Sequence, residues 1–221
     1  NPRAISSAPP VCLTSQRVQQ IPPSNFVPVH YAASELLIIL VSLLTARALW
    51  QREIVYGALG VLLFGMAAAL GAVRFGLSLN DDNLTTLHRF ASQFGGLVGV
   101  ILFCHQFIIG AEKGRKWRLW HTGFASLMAL TALLFPMTRV PLFLFWLAGL
   151  IVLCAGHTPH ITLRIPVKMA LAGIMLANVV LVRQAPWLRP EVSWHAFHIF
   201  VAIWLLAIYA LLTIRNPQAG N

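Results

Sequence analysis

The sequence predicts an all-α, polytopic membrane protein, a bundle of seven transmembrane helices with its N-terminus outside and its C-terminus cytoplasmic. Three observations carry that prediction. Of 221 residues, 58% are hydrophobic and only 10% charged, and the mean hydropathy is +0.75. A water-soluble domain carries roughly 25% charged residues, and one soluble core cannot hide so much apolar surface. The apolar residues gather into seven runs, most of them near the ~20 residues that cross ~30 Å of hydrocarbon at 1.5 Å per residue. The runs are continuously apolar rather than alternating, which excludes barrel strands, and a closed backbone in lipid then leaves helices.

In order, residues 1–28 form a polar, proline-bearing tail expected to be extended or disordered, without the basic head and apolar stretch of a signal peptide. The helical domain is placed at 29–215, followed by a short tail at 216–221. The seven runs are Tyr31–Leu49, Ile54–Val73, Leu84–Ile109, Leu119–Phe135, Val140–Ala155, Val167–Val182 and Val192–Ile214. The second and third are dense in small residues, among them Gly57, Gly60, Gly65, Gly71, Gly95, Gly96 and Gly99, which let helix backbones approach closely in lipid. Trp50, Trp117, Trp120, Trp187 and Trp194 fall at run ends, as interface anchors do.

Orientation follows from the basic residues. Arg47, Arg52, Lys113, Arg115, Lys116, Arg118, Arg164, Lys168 and Arg215 lie toward one face; Arg74, Arg89, Arg139, Arg183 and Arg189 lie toward the other. The excess places the first face, with the EKGRKWR stretch after the third run, in the cytoplasm. The net charge of +10 comes from residues scattered singly between runs, with no basic stripe, so nucleic acid is not expected as a partner. The expected setting is a bacterial inner membrane or an equivalent endomembrane. Cys12, Cys104 and Cys154 show no CxxC spacing and no zinc-knuckle pattern.

Alternating helix direction brings particular polar residues to one outer layer: Glu35, Arg74, His88, Gln93, Asn178, His195 and His198. Glu35 is the sole acidic residue well inside an apolar run, and an unpaired carboxylate there is costly. It is expected to pair with Arg74 or a histidine, either as a structural tie or as a functional group. His195 and His198 stand at i and i+3 on the last helix, so their imidazoles share a face. With His88 they supply three nitrogen ligands for one zinc, the open-site arrangement that activates water. Glu35 is then a fourth ligand or the general base, and Arg74 or Gln93 stabilises the oxyanion. At the opposite face His105, His121, His157 and His160 form a second histidine layer, and two such layers admit heme b as an alternative cofactor.

Seven helices, N-terminus out, with Leu87-His88-Arg89-Phe90 in the third and His195-Ala196-Phe197-His198 heading the last, resemble the alkaline-ceramidase, adiponectin-receptor and hemolysin III superfamily of membrane hydrolases. The resemblance implies zinc held by His88, His195 and His198, and a lipid amide or ester as substrate. The pattern departs from that group. Its last-helix pair is HxxxH, so the HxxH here rotates the second histidine by ~100°. Its Ser-x-x-x-His is replaced by Gly71-Ala72-Val73-Arg74-Phe75-Gly76, and its third-helix Asp is absent. The competing class is a non-catalytic membrane subunit or binding protein of a larger complex, holding a lipid or heme and contacting protein partners.

Overall fold

The computed structural model describes residues 29–79, 81–110, 115–156 and 163–214. The tail 1–28, Asn80, residues 111–114 with the start of the EKGRKWR stretch, residues 157–162 with His157 and His160, and the C-terminal residues from 215 lie outside them. Seven long helices and no strand are present among the described residues. We number them α1 (Tyr31–Trp50), α2 (Val55–Gly76), α3 (Asp82–Phe90, a π turn Ala91–Gly95, then Gly96–Gly110), α4 (Arg115–Leu134), α5 (Arg139–Gly156), α6 (Ile165–Ala177, then a π turn Asn178–Val182) and α7 (Pro190–Thr213).

Local chemistry sets the boundaries. α3 starts two residues before the apolar run because Asp81 caps it, its carboxylate accepting from the Leu84 N–H at 2.9 Å. Prolines stand in the first turns of α6 and α7, where a missing N–H costs nothing. α1 ends in a tight reversal in which Glu53, at φ 60°, takes the left-handed conformation and lets the Ile54 N–H reach the Leu49 carbonyl at 3.0 Å.

Six of the seven helices are long and apolar enough to cross a membrane: α1, α2, α3, α5 (with the preceding 3-10 turn), α6 and α7. The chain is therefore a multi-pass helical membrane protein. α4 is the exception, because Arg115, Lys116 and Arg118 crowd its first turn and His121, Thr122 and Gly123 follow. The same division appears in the packing. The six apolar helices close a ring in the order α1, α2, α3, α5, α6, α7 and back to α1, while α4 lies outside it against α3 and α5.

The ring is filled by aromatic and aliphatic side chains. Trp204 of α7 is fully buried, meets Phe64 and Phe103 at ring separations of 5.5 and 5.6 Å, and donates its indole N–H to the Ala172 carbonyl of α6 at 3.1 Å. α2 and α3 cross at Gly60 and Gly99, where a Cβ on either would come within 3.0 Å of the other's carbonyl oxygen. That is the close approach expected of small residues in lipid. The outer surface is apolar instead: Leu36, Leu40, Leu43, Leu44, Met66 and Val152 are all exposed. Water would not tolerate such a belt on a monomer of this size, whereas hydrocarbon does.

Candidate functional site

The end of the ring where α1, α3, α5 and α7 begin and α2 and α6 finish collects the polar residues. Glu35, one turn into α1, is 2% exposed. Its Oε1 lies 3.3 Å from His198 Nε2 of α7 and 3.7 Å from His88 Nε2 of α3, without hydrogen-bond alignment to either. Both histidines are buried. Gly71 of α2 makes room for this cluster. A Cβ there would overlap the Glu35 carboxylate and stand 2.9 Å from His88 Nε2.

The orientation of the His198 ring follows from its surroundings. His198 Nδ1 is 2.7 Å from the Trp194 carbonyl, an acceptor only, so Nδ1 carries a hydrogen. Nε2 is thereby turned toward the Glu35 carboxylate. Two imidazoles beside the carboxylate give a buried acid polar neighbours at a site where an isolated one is costly.

Two π turns border the same region. One, Ala91–Gly95, carries Ser92 and Gln93; the other, Asn178–Val182, carries Val179. A π turn re-aims side chains by widening one turn, and such turns occur frequently at functional sites. Ser92 Oγ donates to the His88 carbonyl at 2.8 Å, and Asn178 Nδ2 donates to the Phe197 carbonyl at 2.8 Å. The second bond fastens α6 to the head of α7, as does Ser193 Oγ donating to the Val182 carbonyl at 3.0 Å.

Glu35, His88, His198, Gln93 and Arg74 all line a cavity of about 450 Å³. Its floor is apolar, formed by Ile38, Phe64, Ala67, Phe143 and Val201. Its rim adds Arg89, Arg139 and Arg183, which the charge pattern had assigned only to orientation. Arg139 donates from Nε to the Ala132 carbonyl at 3.0 Å, and the Arg183 guanidinium lies over the Trp194 and Phe197 rings at 5.6 and 5.3 Å.

His195 does not join the cluster. Its Nδ1 faces Ser34 Oγ at 3.2 Å, and its ring lies 5.3 Å from His30 and 5.6 Å from Tyr31. Residues three apart on a helix differ by about 60° in direction, enough for His198 to meet Glu35 while His195 turns to the start of α1. Trp194, stacked on Tyr31 at 4.9 Å and against His198 at 4.4 Å, stands between the two histidine groups. Arg74 likewise does not pair with Glu35; its guanidinium lies over the Phe75 ring at 5.0 Å.

No group of three or more His, Cys, Asp or Glu side chains that could hold a metal ion is present among the described residues. The expected zinc set is thus not brought together, since His195 is committed elsewhere. No family model matches the chain. No curated protein and no solved structure matches it either.

At the opposite end His105 and His121 meet directly, Nδ1 to Nδ1 at 3.1 Å, with Tyr56 and Trp146 edge-on against them. Heme axial ligands stand on opposite faces of the macrocycle. Here the two imidazoles face each other directly.

Proposed function

We propose that this chain spans the membrane seven times, with its N-terminus outside, and binds an amphiphile from the outer leaflet in the cavity beside Glu35. α4 serves as the seventh crossing: its 20 residues span ~30 Å, and its exposed Trp120, Phe124, Leu127 and Leu130 suit lipid. The single observation that carries the binding reading is the cavity itself. It joins an apolar floor to a polar rim, in the size range of small-ligand sites.

The test is lipid analysis of the purified full chain. Mass spectrometry should find one amphiphile enriched over the bulk lipid of the preparation and lost in Ala67→Phe, which fills the floor. Lipid content identical in the two proteins would overturn the proposal.

A second reading, hydrolysis of a lipid amide or ester, is favoured by the 3.3 Å approach of Glu35 to His198 at the cavity wall. In that reading Glu35 takes a proton from water as the water oxygen attacks the carbonyl carbon. The imidazole gives a proton to the departing nitrogen or oxygen, and Arg74 and Gln93 face the oxyanion. The check is release of fatty acid from a short-chain amide or ester amphiphile. Turnover by the wild type that Glu35→Gln abolishes supports the reading, and equal release by both proteins removes it.

A further inference from the structure

Four guanidinium groups surround the cavity, those of Arg74, Arg89, Arg139 and Arg183, against the single carboxylate of Glu35. That carboxylate is already engaged by two imidazoles. The arginines, by contrast, meet aromatic faces or a backbone carbonyl: Arg74 over Phe75, Arg139 over Phe90 and on the Ala132 carbonyl, Arg183 over Trp194 and Phe197. No ion pair joins any of them to an Asp or Glu among the described residues. Four like charges around one space repel each other unless an anion stands between them, and the low dielectric near lipid sharpens that repulsion. Snorkelling to bulk headgroups accounts poorly for Arg74, whose Nε is buried without a partner.

We infer that the amphiphile bound here carries a phosphate ester head, an inference that rests on the binding reading above. Guanidinium forks match phosphate oxygens, and a tetrahedral head offers acceptors to several arginines at once, whereas a carboxylate offers only two oxygens. The phosphate lies at the arginine rim and the acyl or alkyl part on the floor of Ile38, Phe64 and Val201. The one carboxylate, Glu35, has two imidazoles beside it, and four guanidinium groups outnumber it around the cavity.

The experiment titrates the full chain in maltoside detergent with decyl phosphate, decanoate, decyltrimethylammonium and inorganic phosphate, read by tryptophan fluorescence. Decyl phosphate is expected to bind best. Arg89→Gln and Arg183→Gln, both at exposed positions, should each weaken it roughly tenfold or more, the scale of one charge-assisted bond. Arg47→Gln, at the far end of α1, should leave it unchanged. Binding of decanoate as tight as decyl phosphate overturns the phosphate assignment. Equal binding of decyltrimethylammonium, or indifference to both rim substitutions, overturns the anionic head while leaving the amphiphile reading in place. Inorganic phosphate binding as tightly as decyl phosphate upholds the anion chemistry but gives it a free-phosphate source, and the amphiphile reading then fails.

Discussion

Gly71→Ala is the most discriminating substitution in this protein. One methyl group on α2 would have to occupy the place of the Glu35 carboxylate, with Glu35 Cδ 2.6 Å and His88 Nε2 2.9 Å from the new carbon. Glu35 is 2% exposed and borders the cavity, so its carboxylate must swing into that space, away from His88 and His198, or α1 or α3 must shift. Overpacking of this kind costs about 1–3 kcal/mol. Alanine gains up to about 1 kcal/mol of helix propensity over glycine, which offsets part of that cost. Gly149→Ala on α5 isolates the propensity gain, because a Cβ at Gly149 meets nothing within 4 Å. At roughly 2–4 °C per kcal/mol for a chain of this size, Gly71→Ala should lower the apparent Tm by several degrees. Gly149→Ala should hold or raise it. Adding Glu35→Ala to Gly71→Ala should recover part of the loss, with a coupling of about 0.5–3 kcal/mol. Thermal unfolding in detergent, followed by tryptophan fluorescence, measures all four proteins. If Gly71→Ala and Gly149→Ala melt together, the packing of carboxylate and imidazole on α2 is not as described.

Other substitutions test other links. His198→Ala leaves the Glu35 carboxyl buried with one imidazole fewer and should cost about 1–3 kcal/mol, while His195→Ala loses one contact to Ser34 and should cost less than about 1 kcal/mol; the comparison is of melting temperatures. Elemental analysis of the same pair should find metal content unchanged by His195→Ala, since that imidazole is turned away from the cavity centre. Trp204→Phe removes the indole bond to the Ala172 carbonyl and leaves a void inside the ring, a loss of about 2–4 kcal/mol read as a lower midpoint of unfolding.

Helix count, helix direction and the level of Glu35, His88 and His198 were all legible in the sequence, because apolar run length and strict alternation fix them. Asn178, Arg74 and Gln93 also lie at the expected end for that reason. Azimuth was less legible. The i, i+3 pair on α7 shares a broad face, yet the 60° between its members sends His198 to Glu35 and His195 to Ser34. The π turns at Ala91–Gly95 and Asn178–Val182 leave no composition signal, although they set which residues of α3 and α6 reach the cavity. Gly71 looked like any other small residue of a tightly packed helix. A carboxylate opposite it is visible only once α1 is docked. The rim arginines were readable as charges but not as neighbours, since they come from α2, α3, α5 and α6.

The place of α4 outside the ring has a consequence for how the chain can vary. α3 and α5 are ring neighbours that run in the same direction, so the chain must return the full length of the bundle between them. α4 is that return limb. It closes the topology without furnishing the wall of the cavity, much as a crossover helix joins two parallel strands without belonging to their sheet. Its sequence is consequently freed from the demands that hold the other six. Its one tie to the cavity is indirect: the Ala132 carbonyl of α4 accepts from Arg139, which lines it. Two polar bonds fasten that limb, His105 to His121 at one end and Arg139 to the Ala132 carbonyl at the other, so exchange of the limb would be felt at both ends.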